Sequence, residues 1–290
     1  MSSPPKGPLS TSTPSNEAKP RSNLATRVLT AAVVSPLILL LLFLGPAWGW
    51  TAFIVAATAL SAYEFFGLSH PGDPVARGIG VLATLGVAVV LVAHGNDARA
   101  LVTLVVALPV LSILLALFRL GDVRTAAARM AATTFGPLWL GLLTCLVLLR
   151  NSQGAEGPGY VLYAVMLAWM ADTGGYFAGR FFGRRKLYEA VSPKKTVEGF
   201  VGAILGAVLG ALLAHFWYLP SLPLVDAILV ALLGGALGQL GDLGESLLKR
   251  STGVKDSGEI VPGHGGMLDR LDALFVTSGL VYLYTVWARP

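Results

Sequence analysis

Charge is scarce in this sequence. Asp, Glu, Lys and Arg make up 13% of its 290 residues, where a soluble domain carries about a quarter. So few charges cannot cover a water-exposed surface, which excludes an ordinary soluble globular protein. Cysteine is scarcer still: Cys145 stands alone within an apolar run. It permits no disulfide framework and no cysteine metal cluster, and it says little about redox compartment.

What replaces charge is apolar surface. Hydrophobic residues reach 54%, and the mean hydropathy is +0.70. These values point to an integral membrane protein. The pI near 9.4 would suit nucleic acid in a soluble chain. In a membrane protein, basic residues instead set topology and meet anionic lipid or phosphate, so no nucleic-acid partner is expected.

Residues 1–23 are rich in Ser, Pro and Thr and have no apolar period. They read as a disordered cytoplasmic tail. They make a poor signal peptide, because the polar part is long and a full-length apolar run follows without an A-x-A-like exit. Beyond them, runs of about 20 apolar residues, enough to cross a bilayer, fall near 26–44, 47–66, 76–94, 98–118, 129–149, 160–180, 197–218, 224–247 and 268–288. The expected fold is an all-α polytopic bundle of about nine transmembrane helices. Residues 24–150 supply the N-terminal helices and 151–290 a C-terminal catalytic region.

With the N-terminus in the cytoplasm, nine spans place all of the 21 basic residues except Arg99, Arg150 and Arg289 on the cytoplasmic side. That bias is the positive-inside pattern. It predicts a multi-pass protein of the cell membrane. Glycines recur at four-residue spacing at Gly202, Gly206 and Gly210, and are dense from Gly234 to Gly244. Such faces let helices approach closely within the bundle or in a homodimer.

Polar residues inside apolar spans mark function, and here they gather in three places on the predicted cytoplasmic side. In the first, Asp172 interrupts an apolar helix. The basic loop after it carries Lys194 and Lys195 ahead of a helix start with Thr196 as cap and Glu198 in its first turn. Lysines beside a helix N-terminus suit polyphosphate. In the second, Asp242, Glu245, Ser246 and Lys249 share one helical face, with Arg250 following. Hard acids on one face suit Mg²⁺ held together with substrate phosphates, although a plain Glu245–Lys249 pair is the competing reading. The third is KDSGEIVPGHGGMLDRLDALF, residues 255–275. It brings Lys255 and Asp256, a turn of Gly263, His264, Gly265 and Gly266 that can offer backbone N–H groups to an anion, and then Asp269, Arg270 and Asp272. The final helix returns antiparallel to the one before it. Asp242 and Asp269 are therefore expected to face each other at one depth as a metal cradle.

Three stretches also carry a family resemblance. They are Ala171-Asp172-Thr173-Gly174, then Ser192-Pro193-Lys194-Lys195-Thr196-x-Glu198-Gly199, then Ser246-x-x-Lys249-Arg250 running on through Lys255-Asp256 and Pro262-x-His264-Gly265-Gly266 to Asp269-Arg270-x-Asp272. Together they resemble the signature of the phosphatidate cytidylyltransferases (CDP-diacylglycerol synthases) over about residues 160–275. Val261 stands where that family would be expected to carry a larger aliphatic residue or Phe. The resemblance implies transfer of the cytidylyl group of CTP to phosphatidic acid, with release of pyrophosphate. It implies Mg²⁺ on Asp242 and Asp269, with Asp172, Glu245 or Asp272 as further ligands or supports, and it allows a monovalent cation such as K⁺. Lys194, Lys195, Lys249, Arg250, Lys255 and Arg270 would clamp the phosphates, while His264 and its glycines shape the nucleotide loop. The family's habit adds to the expectation of a homodimer. The rival readings are a CTP-dependent polyprenol kinase, a CDP-alcohol phosphotransferase and an ion-coupled transporter. The phosphotransferase pattern fails because Ala273-Leu274 follows Asp272. The transporter would place polar residues mid-span in paired halves, which this sequence does not do.

Overall fold

Each apolar run becomes a helix. The computed structural model describes residues 24–95, 97–258 and 265–288, with side chains from residue 32 onward. The tail at 1–23 and His264 lie outside the described residues. The helices are α1 (Leu24–Phe43), α2 (Ala47–Ser69), α3 (Pro74–His94), α4 (Ala98–Phe118), α5 (Val123–Gly141), α6 (Cys145–Ser152), α7 (Gly157–Phe182), α8 (Val197–Leu213), α9 (Leu224–Ser251) and α10 (Leu268–Trp287). A 3₁₀ turn at Leu142–Thr144 joins α5 to α6 in one continuous helical run. The described residues therefore form nine helical rods, matching the nine apolar runs.

Among the described residues, six helices are long and apolar enough to cross a membrane: Ala47–Ser69, Pro74–His94, Ala98–Phe118, Val123–Ser152, Val197–Tyr218 and Leu224–Ser251. The acid-bearing α7 and α10 are not among them. Aspartate starts three consecutive helices. Asp73, Asp97 and Asp122 each accept a backbone N–H from the first turn that follows, at Ala76, Arg99 and Arg124. This satisfies donors that a helix start leaves unpaired.

The expectation of helices alone needs one addition. The chain between α7 and α8 forms a short antiparallel hairpin of β1 (Lys186–Tyr188) and β2 (Ser192–Thr196), with Lys186 opposite Thr196 and Tyr188 opposite Ser192. The physical reason is local. Glu198 in the first turn of α8 accepts the backbone N–H groups of Arg184 and Arg185, and the Val197 N–H donates to Arg185 O. These bonds fold the segment back on the start of α8.

α7 and α8 lie almost backbone to backbone. A Cβ on Gly206 would overlap the Met170 carbonyl, and one on Gly174 would overlap the Gly202 carbonyl. Small residues on both helices make this approach possible. The hydrophobic core runs through both halves of the chain: Phe65 and Phe66 of α2, Trp139 of α5, Tyr160 and Tyr163 of α7, and Phe275 of α10 belong to one cluster. Trp139 and Phe275 touch with ring centroids 5.4 Å apart. The last helix is thus anchored to the first half as well as to its sequence neighbours.

Candidate active site

α7, the hairpin, α8 and α9 enclose a cleft of about 430 Å³. Its basic wall comes from Arg180 at the end of α7 and from Lys194 and Lys195 on β2. Strand geometry sends neighbouring side chains to opposite faces, yet both lysines border the cleft. Asp172, Gln239 and Asp242 line the acidic and polar side. Thr196 also borders the cleft, and its hydroxyl caps α8 by accepting the Gly199 N–H at 3.0 Å.

Side chains of opposite walls meet across this cleft. Lys195 Nζ lies 2.7 Å from Asp242 Oδ2, and Gln239 donates to Asp172 Oδ1 at 3.2 Å. Gln239 was not among the residues read from the sequence. Its signal was present: it is a polar residue one turn before Asp242 in an otherwise apolar run.

Asp242 also belongs to a second cluster. Carboxylate oxygens of Asp242, Glu245 and Asp272 all lie within 4.8 Å of one another. Asp242 and Glu245 share a face of α9 because they are three residues apart, and α10 supplies Asp272 from the opposite side. Ser246 donates to Asp242 Oδ1 at 3.4 Å. Glu245 is 1% exposed. Its Oε2 meets Lys249 Nζ at 2.6 Å, while its Oε1 has no hydrogen-bond partner. A buried carboxylate oxygen without a donor is costly unless something else neutralises it. Three hard oxygen donors with one left unsatisfied suit a divalent cation.

The antiparallel register of α9 and α10 differs by one turn from the sequence expectation. Asp272, not Asp269, joins Asp242. Asp269 meets Lys249 Nζ at 2.6 Å through Oδ1, and its Oδ2 accepts from Ser257 N at 3.0 Å, Ser257 Oγ at 3.0 Å and Gly266 N at 2.9 Å. Four donors surround it, so it anchors a lysine and a loop. Lys249 is fixed between Glu245 and Asp269 instead of projecting into the cleft.

The remaining sequence candidates have these positions. Arg250 donates to the carbonyls of Val191 and Val254, tying the end of α9 to the hairpin turn. Glu198 holds the hairpin backbone, as described above. Lys255 and Asp256 are exposed in the segment after α9, and Arg270 is exposed in the first turn of α10. Gly265 has φ +84°, a left-handed conformation that glycine adopts without strain. Glu64 of α2, 3% exposed, escaped the sequence reading altogether. It lies against the start of α10, with Ser257 between it and Asp269. The available signal was an acid alone in an apolar span.

The chain is similar to known proteins. The chain is 38% identical over 156 residues to the phosphatidate cytidylyltransferase of Bacillus subtilis, a stretch covering 53% of this chain and 58% of that protein. It is 41% identical over 132 residues to the enzyme of that name from Staphylococcus haemolyticus, covering 46% and 51%. It is 40% identical over 132 residues to that of Staphylococcus aureus, with the same coverage. The chain thus spans about half the length of the relatives it matches. The cytidylyltransferase family profile extends further, over residues 25–287. With nearly all of its helices inside that match, the chain belongs to the cytidylyltransferase family.

Proposed function

We propose that this protein transfers the cytidylyl group of CTP to phosphatidic acid, giving CDP-diacylglycerol and pyrophosphate. The observation that carries the reading is the double membership of Asp242. It borders the lysine-lined cleft and completes the acidic cluster. A nucleotide triphosphate and a divalent cation would therefore meet at one carboxylate.

Asp242, Glu245 and Asp272 would hold Mg²⁺, whose contribution when bound is to neutralise phosphate charge. Asp269, which the sequence suggested as a ligand, serves to fix Lys249. Arg180, Lys194 and Lys195 bind the triphosphate from the opposite wall. An oxygen of the lipid phosphate attacks the α-phosphorus of CTP, the α–β phosphoanhydride bond breaks, and pyrophosphate leaves. The attacking oxygen is already ionised at neutral pH, so the chain needs no general base. Its work is positioning and charge compensation, which dominate phosphoryl transfer. We place the site at the cytoplasmic face of the cell membrane, with the N-terminus cytoplasmic, because basic residues concentrate on that side. Glycine-rich helix faces suit a homodimer.

The test uses purified protein in mixed micelles with phosphatidic acid, Mg²⁺ and CTP labelled separately in the cytidine and the γ-phosphate. Cytidine label should enter the lipid phase while γ-label leaves as pyrophosphate. Label from the γ-phosphate entering a polyprenol, with cytidine staying in water, would instead establish a lipid kinase.

A further inference from the structure

The N-cap residue of the helix that carries Asp272 supplies no cap. Met267 occupies the N-cap of α10, and its side chain makes no capping bond. The acceptor comes from α2. Glu64 Oε1 accepts the Met267 N–H at 3.0 Å and Glu64 Oε2 accepts the Leu268 N–H at 2.8 Å, across 203 and 204 residues of chain. A carboxylate at a helix N-terminus satisfies unpaired donors and meets the positive end of the helix dipole.

Glu64 also reaches the acidic cluster through a chain of contacts. Ser257 Oγ lies 2.9 Å from Glu64 Oε2 and 3.0 Å from Asp269 Oδ2. Asp269 holds Lys249, and Lys249 holds Glu245, each at 2.6 Å. The packing around Glu64 is tight. A Cβ on Gly258 would come within 2.6 Å of Glu64 Oε1, and one on Gly266 would overlap both Ser257 Oγ and the Glu64 carboxylate. The glycine at 266 thus admits Glu64 rather than serving only a ligand.

We propose that Glu64 is a positioning residue for the reaction proposed above. It sets the height and rotation of α10, and through them the place of Asp272 beside Asp242 and Glu245. The inference rests on that reaction for its functional half and on the hydrogen bonds alone for its structural half.

The experiment uses full-length protein in micelles and two variants that disturb the contact from opposite sides. Glu64→Gln keeps the volume but replaces one acceptor oxygen with an NH₂ that cannot receive an N–H. Gly258→Ala leaves Glu64 in place and crowds its carboxylate. For each, kcat, the KM for CTP and amide hydrogen exchange are measured. We expect kcat to fall about tenfold or more in Glu64→Gln, as for loss of a buried charge-assisted bond. The KM for CTP should stay within about twofold, because the cleft lysines are untouched. Exchange should accelerate across residues 265–272 and stay unchanged in the hairpin and α8. Gly258→Ala should show the same pattern more weakly, and Glu64→Asp should recover part of kcat. Wild-type kcat and exchange in both variants would overturn the proposal. So would lost activity with unchanged exchange, or faster exchange throughout the protein. A wild-type protein inactive with CTP and phosphatidic acid would refute the reaction, while the exchange data would still decide whether Glu64 holds α10.

Discussion

Lys195 Nζ of β2 stands 2.7 Å from Asp242 Oδ2 of α9, so the basic wall and the acidic cluster share one contact. In the reaction proposed above, an incoming triphosphate would compete with Asp242 for this lysine, and a cation would compete with the lysine for Asp242.

Replacing Lys195 with Met should therefore lower kcat/KM for CTP by about tenfold or more, the scale of losing one partner of a half-buried charge pair that also meets the substrate. Asp242→Asn should abolish turnover. The two effects should be strongly non-additive in a double-mutant cycle, since the residues touch. Additive losses would mean that the pair is incidental.

The acids of α10 should separate in a metal titration. Asp272→Asn should raise the Mg²⁺ concentration for half-maximal rate by about tenfold or more, as expected for a lost metal contact. Asp269→Asn should leave that midpoint within about threefold and lower the melting temperature instead, because Asp269 binds Lys249, Ser257 and Gly266. The opposite outcome would restore Asp269 as the ligand.

Acid sensitivity should trace to the α2–α3 connection. His70 is 4% exposed and contacts Ser69 Oγ at 3.0 Å and Thr133 Oγ1 at 3.3 Å. Burial, and then the charge of Arg129, hold its pKa below the ordinary 6.5, with Asp73 opposing them. Below 6.5 the unfolded chain takes up a proton that the folded chain resists. Stability is therefore full above that pH and declines as pH falls toward the lowered value. The melting temperature of the wild type should drop between about pH 7 and about pH 5, and that of His70→Gln should drop less. Parallel slopes would assign the effect elsewhere.

Gly206→Val should destabilise the bundle by about 1–3 kcal/mol, the usual range for overpacking. Its Cβ would collide with the Met170 carbonyl, which is backbone and cannot swing aside. Thermal unfolding in detergent measures the loss. Gly244→Ala is the control, since nothing lies within 4 Å of that position.

Most of the helices were legible because bilayer crossing demands long apolar runs, and such runs have few alternatives. Asp172, Lys195, Asp242 and Glu245 were legible for the converse reason: a polar residue there needs a partner. The register of α10 was not. Asp269 and Asp272 lie three apart on one helical face, and spacing cannot say which of them reaches the depth of Asp242. That depends on the path of residues 251–267. The hairpin was hidden because its lysines and proline read as loop. Glu64 was hidden by distance, since its partners lie about two hundred residues away.

The capping of α10 by Glu64 of a distant helix has a consequence for how the protein is synthesised. This helix opens with two acids and an arginine, and charge near a segment's start weakens its entry from the translocon. Lys249 and the buried region around Glu64 are both already made when it emerges, and they offer its first turn what lipid cannot. The third carboxylate of the cluster therefore arrives only when the last helix docks. A nascent chain that stops short of α10 lacks it, so the acidic cluster cannot form before this helix is made.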